Sequence, residues 1–424
     1  MNKYLPRIVD AELNDLLDGA PAIAVEGPKG IGKTATLARR ASTIYTIDDP
    51  RQRTLLEADP DRLNDDPKPV LLDEWQRLPQ VWDWVRRAVD GGTAPGSFLL
   101  AGSAAPIEAP VHSGAGRFIT LRMRPMSLAE RQLEPATISL SQLLTGSKEP
   151  LRQSSVLGLR DYVGEIVSSG FPGIRESPAR ARKLLLDGYL QRISQRDFEE
   201  QGRTVRRREA LLAWLRSYAA ATATSASYNR ILDAATPGEA DKPARSTTEA
   251  YRQVLTDLWI LDPLPAWLPG SRGLSRLGQA PKHHLTDPAL AARLLGLGLQ
   301  SLLAGEEAGP DAFRGGDLLG RLFESLVTQS LRVYSQRNEA NVYHLRTKNG
   351  DHEIDLIVER DDGRVIAIEV KLSPLVRDED VRHLTWLRDR IGNRLLDSLV
   401  VTPGKDAYRR SDGIAVVPAA LLNS

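Results

Sequence analysis

The chain has 424 residues, of which 41% are hydrophobic and 26% charged, with a formal net charge of +1 and no cysteine. This composition is typical of a globular protein, and the length predicts about two to four domains. The lack of cysteine excludes disulfide bonds, cysteine-ligated zinc and thiol catalysis. We find neither a secretory signal nor a run of roughly 20 apolar residues, so we expect a cytoplasmic protein without a membrane partner.

The N-terminal part of the chain alternates short apolar runs with helical stretches such as 81–90. The apolar runs, which are hydrophobic on both faces as buried parallel strands are, are 22–26, 43–48, 69–74 and 97–103. Strands that alternate with helices predict an open α/β sheet covered by helices on both faces. We expect the proline-bearing segment 121–130 to close this unit.

A glycine-rich loop follows the first predicted strand. Its sequence, "GPKGIGKT" (27–34), satisfies the pattern G-x4-G-K-[ST] and opens a predicted helix. Its glycines allow backbone N–H groups to surround phosphate oxygens, and the helix N-terminus favours the anion. Lys33 is expected to reach the β- and γ-phosphates of ATP, and Thr34 to bind Mg²⁺. The predicted nucleotide-binding residues of the loop are Gly27, Pro28, Lys29, Gly30, Ile31, Gly32, Lys33 and Thr34.

Two carboxylates end the third predicted strand, in "PVLLDEWQ" (69–76). Carboxylates at the end of a buried strand are costly unless they meet a cation. Asp73 is therefore predicted to hold the Mg²⁺ of ATP through a water molecule, and Glu74 to act as the catalytic base that polarises the attacking water. The alternative is that the pair merely caps a solvated helix.

Two further residues are weaker candidates for the nucleotide site. Ser103 ends the apolar run "FLLAGSA" (98–104) and is expected to lie near the γ-phosphate, where its hydroxyl would sense the nucleotide. Arg117, in "GAGRF" (114–118), is a candidate arginine finger for the ATP of a neighbouring subunit. The alternative for an arginine of this kind is a solvated surface position.

The middle of the chain is predicted to be mainly helical from about 160 to 300. The segment 263–285 is punctuated by proline and glycine and is expected to form a short hairpin, so that helices and hairpin together suggest a winged-helix-like unit. The basic run "RTVRRRE" (203–209) is either a solvated helix start or a contact for a phosphate backbone. The paired histidines of "PKHHL" (281–285) lack a third ligand at metal spacing, and we interpret them as structural or surface residues.

The C-terminal part predicts a helix from about 317, a hairpin over 350–373, a helix over 378–391 and a strand over 397–403. Asp355 lies on the first hairpin strand, and Glu369 and Lys371 share one face of the second.

This is the arrangement of metal-dependent phosphodiesterases, in which Asp355 and Glu369 would bind Mg²⁺ or Mn²⁺. Lys371 would either orient the attacking water or stabilise the charge that develops in the transition state. Glu324, on the preceding helix, is a further predicted metal ligand, and His383 is a weaker candidate for contacting the phosphate. The alternative is a hairpin held by cross-strand ion pairs.

Several segments together resemble a family of bacterial and archaeal ATP-binding proteins that join an AAA+ ATPase module to a C-terminal domain of unknown function. The segments that carry the resemblance cover most of the chain and are "GPKGIGKT", "LLDEWQRLPQVWDWVR", "FLLAGSA", "GAGRFITLRMRPMSLAE", "GFPGI", "YLQRISQRDF", "PKHHLTDPALAARLL", "GRLFESLV" and "EIDLIVE" with "AIEVKLS". One departure is an alanine before Gly102, where the family usually carries threonine; it leaves Ser103 intact.

The resemblance implies an α/β protein of four parts. These are a P-loop AAA+ domain (1–130), a helical linker (131–205), a winged-helix-like domain (206–305) and a C-terminal α/β domain with a restriction-endonuclease-like fold (306–424). It also implies a homo-oligomeric ring, since AAA+ modules usually work as rings.

We therefore expect an ATP-hydrolysing protein that acts on DNA and carries a metal-dependent nuclease domain. Two alternatives stay open at this point. One is an ATP-dependent switch that binds a nucleic acid or a protein without cleaving it. The other is a toxin-like module that inhibits growth and needs a partner antitoxin.

Overall fold

A computed structural model describes residues 4–103, 116–203, 205, 207–235, 243–268, 280–307, 315–347 and 350–424. The helices of these segments are α1 (Ile8–Leu17), α2 (Lys33–Ala38), α3 (Pro50–Ala58), α4 (Arg62–Asp65), α5 (Gln80–Asp90), α6 (Leu140–Leu144), α7 (Leu159–Ser168), α8 (Pro172–Arg175), α9 (Ala179–Arg192), α10 (Phe198–Glu200), α11 (Arg208–Ala220), α12 (Tyr228–Ala235), α13 (Arg245–Asp257), α14 (Pro288–Leu294), α15 (Leu299–Glu307), α16 (Gly315–Arg337) and α17 (Asp378–Ile391). None of the described helices combines the length and apolarity that crossing a membrane requires.

The strands of the described segments form two large sheets and one short pair. They are β1 (Ala22–Glu26), β2 (Thr43–Thr46), β3 (Val70–Asp73), β4 (Phe98–Gly102), β5 (Phe118–Arg122), β6 (Ile138–Ser139), β7 (Asn341–Arg346), β8 (Glu353–Glu359), β9 (Val365–Val370), β10 (Leu395–Thr402), β11 (Tyr408–Arg409), β12 (Ala415–Pro418) and β13 (Leu422–Asn423).

The N-terminal sheet is wholly parallel, in the order β2-β3-β4-β1-β5. Alternate residues of its central strands point into two different cores: Ile23 and Val25 pack on one face, and Ala22 and Ala24 on the other. This double burial explains why the strands are apolar at every position, and the four predicted strands are confirmed to within a few residues. The edge strand β5 was not predicted, because its sequence "FITLR" is only half buried and was assigned in part to a closing segment.

The C-terminal sheet is mixed, in the order β11-β12-β10-β9-β8-β7. The central strand β10 is parallel to β9 and β12, whereas β8 is antiparallel to β7 and β9. Helix α16 packs against β7, β8 and β9, and α17 packs against β8, β9 and β10. The predicted hairpin, both helices and the strand near 397–403 are confirmed, while β7, β11 and β12 are additions.

The middle of the chain is mainly helical, as predicted, and a hairpin stem follows α13. Its two sides meet in antiparallel bridges between Leu261 and Leu285 and between Leu264 and Lys282. The stem continues onto the C-terminal sheet through a parallel bridge between Ala266 and His344 of β7. The expected hairpin is thus present at its base, whereas residues 269–279 lie outside the described part of the chain. The winged-helix-like assignment stays a prediction.

Several contacts join segments that lie far apart along the chain. Strand β13, near the C-terminus, pairs in parallel with β6, and α6 packs against β9 and β10. Helix α1 packs against α16. Residues from every predicted part also contribute to one continuous hydrophobic core. The four predicted parts, with boundaries at 130, 205 and 305, therefore share this core. The boundaries themselves stay a prediction.

Candidate functional site

The glycine-rich loop lies between β1 and α2, at the carboxyl edge of the N-terminal sheet. Gly27 has a φ of 151°, and a Cβ there would come within 2.2 Å of the Met123 carbonyl oxygen, just after β5. Gly32, with a φ of 97°, precedes the first residue of α2. Both positions require glycine because a side chain would clash or strain the backbone. The loop is therefore built as the sequence predicts for a phosphate cradle.

Lys33 is buried at the start of α2, and its ammonium has neutral partners. The Nζ donates to the carbonyl oxygens of Gly27, at 2.8 Å, and Pro28, at 2.9 Å. Burial lowers the pKa of Lys33 to about 8, although Glu74 and Asp73 oppose the shift. Burial of an ammonium is unfavourable, and hydrogen bonds to neutral carbonyl groups offset this cost only in part. A phosphate group would supply the missing negative charge, so the residues present fit a nucleotide.

Thr34 and Asp73 meet as predicted for a Mg²⁺ site. The Thr34 hydroxyl donates to Oδ1 of Asp73 over 2.7 Å, which links the first turn of α2 to the end of β3. Asp73 is only 7% exposed, and burial raises its pKa. A hydroxyl and a carboxylate beside a phosphate-binding loop supply the oxygen ligands that Mg²⁺ prefers. These two residues would hold the ion together with phosphate oxygens.

Glu74 lies just beyond β3, in a left-handed conformation with a φ of 55°. The predicted strand over 69–74 therefore ends one residue early. Oε2 of Glu74 accepts from the Ser103 hydroxyl at 3.2 Å and from Nε2 of Gln76 at 2.5 Å. Gln76 also donates to the Ser103 hydroxyl, at 3.1 Å. The structure thus brings Ser103 to the predicted base, and it adds Gln76, which has no distinctive sequence signal.

Lys29, a predicted nucleotide-binding residue of the loop, has acidic partners from the helical middle of the chain. Its ammonium forms ion pairs with Asp197, at 2.7 Å, and with Glu200, at 2.5 Å. Glu200 also pairs with Arg77, at 3.3 Å. These acidic residues belong to the segment after α9, so the helical middle of the chain lies directly over the phosphate loop. Sequence reasoning missed this contact because 168 residues separate Lys29 from Asp197.

Arg117 is not brought to the phosphate loop of its own chain. It precedes β5, whose first residue, Phe118, is level with Ala22 at the start of β1. The loop begins at the other end of β1, roughly 16 Å away at the usual rise per residue of a strand. Arg117 forms an ion pair with Asp90 there. A role on the ATP of another subunit stays a prediction.

A buried ionic cluster that was not predicted joins the N-terminal sheet to the rest of the molecule. Asp262, only 5% exposed, pairs with Arg122 and Arg124 at 3.0 Å each and also with Arg332 of α16. Although burial opposes the shift, Arg122, Arg332 and Arg124 hold the pKa of Asp262 well below its usual range. Arg122 ends β5, beside the last residue of β1. The cluster therefore connects the nucleotide side of the sheet with the hairpin stem and α16.

The predicted C-terminal residues also come together. Lys371 Nζ donates to Oε2 of Glu369 over 2.8 Å, and the backbone N–H of Val370 donates to Oδ2 of Asp355 over 2.9 Å. Glu324 of α16 faces the same place, since it shares a partner with Asp355. Tertiary folding thus gathers Glu324, Asp355, Glu369 and Lys371 from α16, β8 and the end of β9.

The shared partner of these carboxylates is Lys282, which sequence reasoning missed. Its Nζ lies 2.9 Å from Glu324 and Asp355 and 3.3 Å from Glu353. Although burial opposes the shift, Lys282 and Lys371 lower the pKa of Asp355 to about 2. Burial and the charge of Asp355 raise the pKa of Glu324 to about 8.

The arrangement does not fit the predicted Mg²⁺ or Mn²⁺, because an ammonium lies between Glu324 and Asp355, two of the three expected ligands. Within the described segments, no three His, Cys, Asp or Glu side chains are arranged to hold a metal ion. Lys282 lies in the segment "PKHHL", and nothing in that segment distinguishes it from a surface lysine.

The remaining candidates have other partners. His383 Nδ1 lies 3.2 Å from Nδ1 of His352, and Arg382 donates to its Nε2 at 3.0 Å; contact with a phosphate stays a prediction. His283 and His284 are both buried, so they are not surface residues, and they contact Ala226 and Ser325 respectively.

The basic run 203–209 lies partly outside the described residues, which lack 204 and 206. Arg208, near the C-terminal end of the run, has an exposed side chain that lies 3.8 Å from Glu199. This weak contact favours neither of the two readings of the run, so its role stays a prediction.

Comparison with known families assigns three parts of the chain. Residues 19–132 match the model of an AAA domain. Residues 159–301 match a domain of unknown function (DUF8612), and residues 319–422 match another domain of unknown function (DUF4143). These matches do not bear on the predicted restriction-endonuclease-like fold, which stays a prediction.

Similar proteins add little about function. Uncharacterized proteins of Mycobacterium bovis and Mycobacterium tuberculosis are each 27% identical over 420 residues, which cover 96% of this chain and 82% of the relative. A solved structure, the Walker-type ATPase of Pyrococcus abyssi, matches 67% of this chain and 94% of its own at 14% identity and a TM-score of 0.38, a likeness too weak to carry an argument. The family match and the loop geometry together show an AAA-type ATPase domain over residues 19–132, joined to a C-terminal domain of unknown function.

Proposed function

We propose that the chain binds ATP with Mg²⁺ at the glycine-rich loop and hydrolyses it. The observation that carries this proposal is the 2.7 Å hydrogen bond between Thr34 and Asp73, next to a buried Lys33 whose ammonium donates to two backbone carbonyl oxygens. Lys33 binds the β- and γ-phosphates, and Thr34 and Asp73 hold the ion. When bound, Mg²⁺ neutralises charge on the phosphates. Glu74, oriented by Gln76 and Ser103, polarises the attacking water.

Hydrolysis is proposed to act as a conformational switch that controls binding of a nucleic acid or a protein. Two contacts support coupling between the nucleotide and the rest of the molecule. Lys29 of the loop pairs with Glu200 of the helical middle, and Arg122 of β5 pairs with Asp262 of the hairpin stem. A nucleotide that changes the position of the loop would alter both contacts, because each begins within or beside the phosphate site.

The proposal is tested by replacing the base and the loop lysine separately. We expect Glu74→Gln to bind ATP but to lower turnover by about 10²–10⁴-fold, because only the general base is lost. Lys33→Ala is expected to lose nucleotide binding itself. Steady-state phosphate release and equilibrium binding of a fluorescent ATP analogue measure the two effects. The control is Glu57→Gln, an exposed carboxylate on α3 of the same domain. Normal turnover in Glu74→Gln would overturn the assignment of the base.

DNA cleavage at the C-terminal cluster is less well supported. The convergence of Glu324, Asp355, Glu369 and Lys371 favours it, whereas the position of Lys282 argues against a metal at that place. Nicking of supercoiled plasmid with Mg²⁺ or Mn²⁺ and with ATP, compared with Asp355→Ala, tests it directly. Activity that the variant lacks would establish cleavage, and we expect none. The toxin-like alternative is tested by measuring growth of cells that overexpress the protein. Normal growth would argue against it.

An oligomeric active form and DNA as the partner are also proposed, on the basis of the AAA domain and the predicted ring. The position of Arg117 at the far end of the sheet suits a contact with the ATP of a neighbouring subunit rather than its own. Molecular mass by light scattering, with and without ATP, tests assembly. A salt-dependent DNA-binding titration under the same two conditions tests the partner. If ATP changed neither the molecular mass nor the affinity for DNA, this result would count against the proposed switch.

A further inference from the structure

Lys282 occupies the centre of the C-terminal carboxylate cluster. Its Nζ lies 2.9 Å from Oε1 of Glu324, 2.9 Å from Oδ1 of Asp355 and 3.3 Å from Oε1 of Glu353. A lysine ammonium has three N–H donors. Lys282 donates to Glu324 and Asp355, and Glu353 lies within ion-pair distance, so the cation of this site is already present within the chain.

The backbone also fixes Lys282 in this position. Its N–H donates to the Leu264 carbonyl at 2.9 Å, and its own carbonyl accepts from the Leu264 N–H at 2.8 Å. The side chain is only 2% exposed. A lysine at the protein surface usually keeps its ammonium in contact with water, even when its methylene chain is buried. Here the hairpin stem delivers a fully buried ammonium to α16 and β8.

Both carboxylate oxygens of Asp355 and one of Glu369 are engaged, whereas Oε1 of Glu369 has no hydrogen-bond partner within the described residues. Asp355 accepts from Lys282 through Oδ1 and from the backbone N–H of Val370 through Oδ2, at 2.9 Å each. Glu369 accepts from Lys371 at 2.8 Å. A divalent ion requires several oxygens at about 2.0–2.6 Å around one point. That point is taken by an ammonium, whose positive charge would also repel the ion.

We propose that the Lys282 ammonium is the resident cation of this cluster and closes it to divalent metal ions. The cluster, which consists of Lys282, Glu324, Glu353 and Asp355, then joins the hairpin stem, α16 and β8 as an ionic joint. Removal of the ammonium leaves carboxylates that converge on an unfilled position. Loss of Lys282 is therefore expected to create a divalent cation site where the natural chain has none.

Mn²⁺ binding, measured by electron paramagnetic resonance without nucleotide, tests the proposal in the full chain. We expect Lys282→Met to bind one Mn²⁺ ion more than the natural chain does, because the carboxylates that converge on the ammonium become free to hold a cation. Mn²⁺ should also raise its melting temperature. The matched control is Lys183→Met, an exposed lysine of α9. The double variant Lys282→Met with Asp355→Asn should lose the added site. A folded Lys282→Met that gains no Mn²⁺ would overturn the proposal.

A second comparison decides the proposal if Lys282→Met does not fold. The natural chain and Asp355→Asn should bind the same number of Mn²⁺ ions, because Asp355 holds an ammonium rather than a metal. Asp361→Asn, an exposed aspartate in the turn between β8 and β9, serves as the control. One Mn²⁺ ion that is lost in Asp355→Asn but kept in Asp361→Asn would show that the natural chain has a metal site there.

Discussion

The nucleotide loop and the C-terminal cluster each contain a buried lysine, and the two lysines differ in what surrounds them. Lys33 is 6% exposed and donates to carbonyl oxygens, whereas Lys282 is 1% exposed and lies among three carboxylates. The pKa of Lys33 is lowered to about 8 by burial. The pKa of Lys282 is raised well above its usual value despite burial, since Asp355, Glu324 and Glu353 favour its charge. Burial alone therefore does not decide whether an ammonium is stable in a protein.

The comparison shows which site is open to a ligand. A buried cation with neutral partners is stabilised most by an added anion. This is the arrangement expected of a phosphate-binding loop without its nucleotide. A cation with three carboxylates gains nothing further. Sequence patterns identified Lys33 but not Lys282, and only the partners that folding gives each lysine distinguish a binding site from an ionic joint.

The largest effect is expected on stability when Lys282 is replaced. Lys282→Met should lower the free energy of unfolding by about 3–5 kcal/mol at pH 7, because it leaves buried carboxylates without their cation. Denaturant unfolding without metal measures this effect, with Lys183→Met as the control. A loss below about 1 kcal/mol, the range of an exposed pair, would show that the cluster does not act as an ionic joint.

A smaller, pH-dependent effect is expected at Asp262, which lies between the two regions. Its pKa is lower in the folded chain than in the unfolded one, so its contribution is present above the unfolded value and is lost as the pH falls. The difference in unfolding free energy between the natural chain and Asp262→Asn should therefore shrink by about 1.4 kcal/mol per pH unit below about pH 4.

Denaturant unfolding of both proteins between pH 3 and pH 7 is the measurement for Asp262. The exposed Asp361→Asn is the control, and its difference from the natural chain should be small throughout this range. A difference for Asp262→Asn that stays constant from pH 7 to pH 3 would contradict the ionic cluster.

The smallest effect is expected when the other lysine is replaced. Lys33→Met without nucleotide should change the free energy of unfolding by no more than about 1 kcal/mol, because two hydrogen bonds to carbonyl groups are lost while the cost of burying a charge is relieved. Unfolding in nucleotide-free buffer tests this expectation beside Lys282→Met. Equal losses in the two variants would remove the contrast between the sites.

Local sequence was enough where the functional residues are neighbours along the chain. The strand, glycine loop and helix of 22–38 are contiguous, and their order by itself places Lys33 and Thr34. The position of Asp73 near the loop was also predictable, because the carboxyl ends of parallel strands lie at one edge of the sheet. The hairpin of β8 and β9 was likewise predictable, since a short turn rich in Asp and Gly joins two apolar strands. Strand β5 and strand β7 were not, because each is an edge strand with mixed polarity.

By itself, the sequence determined the phosphate loop, the carboxylates at the end of β3 and the convergence of Asp355, Glu369 and Lys371. Only the tertiary structure decided what these groups meet. Lys282 reaches Glu324 and Asp355 across 42 and 73 residues, and Arg124 reaches Asp262 across 138. Such distant pairs have no periodic or local signal, because packing of α16, the hairpin stem and both sheets brings them together. The physical reason is that a buried charge is stabilised by whichever groups folding places beside it.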